Sequence, residues 1–476
     1  MLFNSFHFLY FFIIVTTVYF ISPYRQRWKL LLLSSCYFYM VFVPVFILIL
    51  GFTIVVDYFA GIFIENSKGT RRKLFLVYSL VANIGILCFF KYYNFINTNF
   101  SFILHGFGLS NPIPYLSILL PIGLSFHTFQ AMSYTIEVYR GNQKTERHFG
   151  IYALYVMFYP QLVAGPIERP QNLLHQFREK FQFDSNRVYE GLKIMIWGLF
   201  KKLVIADRLG IYVNAAYNNV EQQNGMTLML ATIFFSFQVY CDFSGYSEIA
   251  IGAAKVMGFD LMTNFKRPIF AKSTGEFWKR WHISLSTWFK DYLYFPLGGS
   301  RVSVFRIYIN LMVVFLISGL WHGANWTYII WGGINGFYLV FAMMTKKYAD
   351  KFNAFTRINK FPRLLIFFQI GITFLLITFS RVFFRAKSVE DAFIVIKKMA
   401  TFKGSVFNAG SALMLYSFFA ISFLLMVESK KEFYTGSFSL SHHNNFWVRN
   451  SYYSFLVILI ILLGVFDGGQ FIYFQF

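Results

Sequence analysis

Apolar runs separated by short polar connections fill most of this chain. They fall at about 3–21, 30–43, 45–63, 75–92, 115–136, 190–216, 226–246, 304–320, 326–343, 364–384, 411–427 and 452–469. A run of roughly 20 residues, rising about 1.5 Å per residue as a helix, crosses the hydrocarbon core of a bilayer. Helices satisfy their own backbone hydrogen bonds there, so the pattern predicts an all-α polytopic membrane protein. The runs at 30–43 and 190–216 fit least well. The first is short, and the second carries Lys201, Lys202, Asp207 and Arg208, so an interfacial or re-entrant placement stays open for both. No tandem repeat, repeated half or long linker is visible, and residues 1–476 read as one membrane-embedded domain.

Composition strengthens this reading. Hydrophobic residues make up 57% of the chain and charged residues 13%, with 64 Phe, 31 Tyr and 9 Trp. Soluble domains carry about 25% charged residues, so a water-facing surface cannot be built from this sequence. Apolar rings suit lipid, and Tyr and Trp suit its interfaces. Mean hydropathy is +0.52.

The formal charge of +22 changes the picture more. In a soluble chain it would suggest nucleic acid; here the basic residues sit in short connections, which points to positive-inside topology, anionic lipid and an anionic cytosolic substrate instead. Arg25, Arg27 and Lys29 follow the first run; Lys68, Arg71, Arg72 and Lys73 follow the third; Arg140, Lys144 and Arg147 follow the fifth. The connections around Pro44, from Asn94 to Pro114 and at 217–225 hold no Lys or Arg, so both termini are expected outside. Residues 385–403 disagree, since they hold five Lys and Arg yet count as outside; a miscounted span or an interfacial segment would explain them. Cys36, Cys88 and Cys241 stand singly in apolar segments and suggest neither a disulfide framework nor a zinc site. The first apolar run lacks the flanks of a cleaved signal and is expected to be retained.

Three polar clusters interrupt the apolar runs, and ionisable groups at membrane depth are costly enough to be functional candidates. Residues 158–170 hold Pro160, Pro166, Pro170 and Gly165, which break a helix; this reads as a re-entrant segment beside a cavity or an ordinary interfacial loop. Asp242 and Glu248 end a strongly apolar run, either lining a pore or paired with Lys255, Lys266 or Arg267. The third cluster covers 275–300 and 318–336. In its first part Trp281 and Trp288 lie seven apart, Trp278 and His282 four apart, and Glu276 is placed to pair with Arg280, as on one amphipathic interfacial helix. In its second part His322 sits among Trp321, Asn325 and Trp326, with Gly319/Gly323 and Gly332/Gly336 at the spacing that lets helices approach closely. His322 serves either chemistry or a structural hydrogen bond. About 17 residues, roughly 25 Å as helix, separate the interfacial segment and its loop from His322, so the two histidines are expected at different depths, as separate stations on one path. No P-loop, Rossmann glycine pattern, His-Glu-x-x-His or Gly-x-Ser-x-Gly occurs.

The runs RWHISLSTWFKDYLYFPLGGSR and GLWHGANWTYIIWGGING resemble the two signature segments of the membrane-bound O-acyltransferase superfamily. Within it the chain is most similar to the membrane subunit of bacterial alginate O-acetylation and to peptidoglycan-acetylating relatives. MLFNSFHFLYFF, LLPIGLSFHTFQAMSYTIEVYRG, YPQLVAGPIERP, DFSGYSEIAIG and SRVFFRA match the same group, so the likeness covers most of 1–340 and is strongest over 115–340. What it implies is a fold of about 11–12 transmembrane helices with re-entrant and interfacial helices around a central tunnel. It also implies an enzyme of the cell's inner membrane that moves acetyl groups from cytosolic acetyl-CoA toward a surface polysaccharide. An extracytoplasmic SGNH-type acetyltransferase is the implied partner. His322 and His282 map to the two signature histidines, while Asn325, Trp281, Asp242 and Arg381 fall in matched motifs with supporting roles. The chemistry agrees: transfer from a thioester to a hydroxyl needs a base, which His322 can supply, and Asn325, one helical turn on, would orient the ring or polarise the acyl carbonyl. No bound cofactor, metal or nucleic acid is expected. The rival readings are D-alanyl transfer to teichoic acid and a glycan-precursor transporter or flippase.

Overall fold

The computed structural model describes all residues except 118–119, 407–409, 435–444, 467–470 and 473–476. Among the described residues every regular element is helical. Eight helices are long and apolar enough to cross a membrane: Phe46–Asn66, Gly69–Gly106, Gly225–Met257, Val304–His322, Trp326–Phe355, Pro362–Arg385, Ser411–Phe433 and Phe446–Leu463. The chain is a multi-pass membrane protein.

The other expected runs form shorter or interrupted helices. Residues 3–21 give helix Phe6–Ile21, and 30–43 belong to Tyr24–Met40, whose first turn is basic. Within 115–136 a helix begins only at Leu124, after Gly123 at φ 77, and it stops at Gly141, φ 80. Both glycines stand in the left-handed region that other residues enter at a cost. The run at 190–216 is helical throughout, but Phe200–Ala206 is a π-helical segment set into it.

The fold divides into two compact units. Residues 1–195 and 246–262 form one, and 196–245 with 263–476 form the other. In the first, helix Phe46–Asn66 turns Phe52, Phe59 and Phe63 outward, each about half exposed, and buries Asp57 completely. Ser79 Oγ (2.6 Å) and Asn83 Nδ2 (2.9 Å) donate to that carboxylate, and Ser79 Oγ lies 3.0 Å from Thr135 Oγ1. Rings face lipid and the polar group faces protein, the reverse of a soluble helix. Residues 158–168 are irregular and buried throughout. Tyr155 orders them: Gln161 Nε2 donates to its carbonyl (2.8 Å) and its hydroxyl donates to the Glu168 carbonyl (3.0 Å).

In the second unit, helix Val304–His322 packs against Trp326–Phe355 at glycine. A Cβ on Gly319 would stand 2.3 Å from the Tyr328 carbonyl oxygen, and one on Gly332 2.3 Å from that of Phe315. The expected small-residue contact is present, with Gly319 facing Gly332 across the pair. Lys201 and Lys202 are both buried. Lys201 Nζ lies 3.2 Å from Glu428, and Lys202 Nζ lies 2.7 Å from Asp207 and 2.5 Å from Asp242. Asp242 Oδ2 also accepts from the Ile472 backbone N–H at 2.8 Å. Asp242 therefore pairs with Lys202, not with Lys255, Lys266 or Arg267 as its sequence neighbourhood suggested. The apolar run bearing Lys202 folds back on the Asp242 helix, and buried charges settle where they are neutralised.

The basic stretch 385–403 contains a helix of only 11 residues, Val389–Met399. Ser388 caps it, Glu390 and Asp391 sit in its first turn, and Lys397 and Lys398 in its last, each sign matched to the helix dipole. Lys398 Nζ donates to the carbonyls of Val220 and Gln223 at 3.1 and 2.9 Å, and to that of Glu221. The stretch is too short to span and lies against 217–225.

Candidate active site

The signature region does not form one helix. Thr274–Arg280 ends at Trp281, whose backbone is extended (φ −104, ψ 126), and Ile283–Phe289 starts after His282 at φ 45, ψ 55. Trp281 and Trp288, and likewise Trp278 and His282, therefore do not share a helical face. The left-handed backbone at His282 is uncommon for a residue with a Cβ and is held by its surroundings. The expected Glu276–Arg280 pair is present at 2.5 Å, and Arg280 also reaches Glu432 at 2.8 Å.

His282 is 1% exposed. Its Nδ1 lies 3.2 Å from Asn264 Oδ1, the same oxygen that accepts from the Ser284 backbone N–H (3.2 Å) and the Ser284 hydroxyl (3.0 Å). A backbone N–H can only donate, so the amide orientation is fixed and His282 must donate from Nδ1. Its Nε2 then carries the lone pair of the neutral ring. Burial drives this imidazole down to about pKa 3, so it stays neutral across ordinary pH. The Phe243 ring stands edge-on to it at 4.5 Å between centroids.

His322 is the last residue of helix Val304–His322 and is 4% exposed. Its ring is walled by Trp321 and Trp331, each with its centroid 5.0 Å away, and by Phe384 at 5.4 Å. Trp321 also touches His282, at 6.2 Å. One indole separates the two imidazoles, in place of the long spacing expected from chain length. The chain runs out through Ile283–Phe289 and returns along Val304–His322, so its two ends meet.

Beside His322 lies a crevice whose walls include Trp278, Trp281, Trp331, Phe384, Asn335 and Arg381. It holds about 320 Å³ between atoms, of which only about 20 Å³ admits the centre of a water-sized molecule. It is a slot for slim groups. Arg381 Nη1 donates to the Ser236 carbonyl at 2.9 Å, and the guanidinium carbon stands 4.9 Å from the centroid of the Trp281 ring. Trp281 and Arg381 thus belong to one wall.

Asn325 is placed differently from expectation. The helix ends at His322, Gly323 is extended, and Asn325 caps the next helix: its Oδ1 accepts from Thr327 N–H at 2.9 Å and its Nδ2 donates to the Lys387 carbonyl at 3.1 Å. Both ends of its amide have structural work, and a break in the helix at Gly323 separates it from His322. Asp242 is likewise occupied, in its pair with Lys202. Asn264 carries no sequence signal, and Asn335 and Phe384, though inside the matched segments GLWHGANWTYIIWGGING and SRVFFRA, have nothing there that sets them apart from their neighbours.

The profile of the membrane-bound O-acyltransferase family matches residues 142–384, which contain His282, His322 and most of the crevice. This chain belongs to that family. It is 37% identical over 406 residues to "Probable alginate O-acetylase" of Pseudomonas aeruginosa, covering 84% of this chain and 75% of that one. It is 36% identical over 401 residues to the peptidoglycan O-acetyltransferase of Helicobacter pylori, covering 79% and 74%. Similarity to the teichoic acid D-alanyltransferase of Streptococcus thermophilus is lower, 27% over 308 residues, covering 58% and 72%. An all-helical membrane protein of this family, with relatives so named, is an acyltransferase.

Proposed function

We propose that this acyltransferase moves acetyl groups from cytosolic acetyl-CoA across the cell's inner membrane for O-acetylation of a surface polysaccharide. The acetyl group passes to an extracytoplasmic acetyltransferase of SGNH type or directly to the glycan. The observation that carries this reading is a pair of buried histidines, His282 and His322, one indole apart beside a narrow aromatic crevice. The two relatives named above at 36% and 37% identity are both O-acetylating by name, which favours acetyl over D-alanyl as the cargo.

In the proposed step His322 acts as general base. It takes the proton of the acceptor hydroxyl as that oxygen attacks the thioester carbonyl carbon. A C–O bond forms, the C–S bond breaks, and the thiolate leaves with the proton that His322 returns. The products are an acetyl ester and free CoA thiol. The aromatic walls exclude water, which would otherwise hydrolyse the thioester.

Proteoliposomes given acetyl-CoA labelled in its acetyl group provide the test. Label should reach glycan or the partner enzyme, with CoA released in equal amount. Preferential use of a D-alanyl carrier thioester, or movement of a glycan precursor with no thioester consumed, would contradict the proposal.

A further inference from the structure

The crevice beside His322 is walled by rings, yet two of its polar atoms are buried and have no hydrogen-bond partner among the described residues: Trp278 Nε1 and Asn335 Oδ1. Asn335 is 1% exposed, and its Nδ2 donates to the Trp331 carbonyl one turn back, at 2.8 Å. That bond fixes the amide orientation and leaves the oxygen as the acceptor. Trp278 is held by Phe315 (5.1 Å) and Trp331 (5.8 Å), with its indole N–H out of water. A buried donor and a buried acceptor left unsatisfied are each costly, and they mark where a ligand with the complementary groups would sit.

We infer that Trp278 Nε1–H donates to the acyl carbonyl of the thioester, and that Asn335 Oδ1 accepts from the amide N–H of the arm carrying the sulfur. This rests on the thioester reading above. An acetyl thioester offers only acceptors, so it can satisfy Trp278 but not Asn335. A CoA-type donor has an amide N–H two carbons beyond its sulfur, which supplies the missing donor. The slot is narrow and lined by rings, which suits an unbranched arm better than a bulky acyl group. Both residues are binding residues of the crevice; neither exchanges a proton in the step.

The test compares two small donors in membrane vesicles carrying the full chain, with transfer of labelled acetyl to glycan as readout. One is S-acetyl-N-acetylcysteamine; the other replaces its amide N–H by an ester oxygen. Asn335→Ala should raise KM for the amide donor about fivefold to tenfold and leave the ester donor unchanged. Trp278→Phe should lower kcat/KM about tenfold for both, because both share the acyl carbonyl. Equal losses on the two donors in Asn335→Ala, or no loss on either, would overturn the inference while leaving acetyl transfer standing. Wild-type vesicles that transfer acetyl from neither donor nor from acetyl-CoA would overturn the thioester reading and this inference together. Should Asn335→Ala fail to accumulate, Asn335→Leu, closer in volume, supplies the same comparison.

Discussion

At the scale of single residues, Asn264 sets what His282 can do. A buried imidazole whose Nδ1–H is claimed by a fixed carbonyl has one tautomer, with the lone pair on its other nitrogen. Replacing Asn264 with Leu should remove this constraint and cost roughly tenfold or more in kcat, about the worth of one buried hydrogen bond, with the protein still in the membrane. Asn264→Asp keeps an acceptor oxygen and should retain more activity than Leu; the steady-state rates of acetyl transfer decide between them. Equal rates in the two variants would show that tautomer control is not the role of Asn264. His282 and His322 were legible in the sequence because histidine amid tryptophan and glycine in an apolar run is costly unless used. Asn264 was not, and Asn335, inside a matched segment, had nothing to set it apart from its neighbours. Nothing local distinguishes a buried amide that faces a site from one that faces water.

At the scale of elements, glycine fixes how closely the His322 helix meets its neighbour. Gly332→Leu would drive a side chain into the Phe315 backbone carbonyl, where a Cβ alone would stand at 2.3 Å. Overpacking of this kind costs about 1–3 kcal/mol or more and shifts the helix carrying His322. Gly333→Ala, one position on, meets only Leu316 Cδ2 at 3.5 Å and should be tolerated. Thermal unfolding in detergent should therefore separate the two variants clearly; equal melting points would contradict close packing at Gly332. This contact could be read from the spacing of small residues. The break at Trp281–His282 could not, because Trp and His carry no breaker signal and the left-handed turn is imposed by tertiary contacts to Asn264 and Phe243. The π-helical segment at Phe200–Ala206 was equally hidden, although Lys201 and Lys202 flagged that run as unusual.

At the scale of the whole molecule, the basic stretch 385–403 is tied to the 217–225 connection. Lys398 is held by the carbonyls of the 217–225 connection, and Lys397 and Lys398 complement a helix C-terminus. Both segments must lie on one side of the membrane. In a background lacking Cys36, Cys88 and Cys241, Glu221→Cys and Lys387→Cys should react alike with an impermeant maleimide on intact cells, and opposite reactivity would refute the contact.

The account as a whole turns on the imidazole at the end of the Val304–His322 helix, and its most direct test is His322→Ala in cells. We expect glycan-bound acetate to fall to the level of cells lacking the protein, with the variant present in membranes at wild-type amount. Acetylation near the wild-type level in that variant would contradict the assignment of His322 as the base.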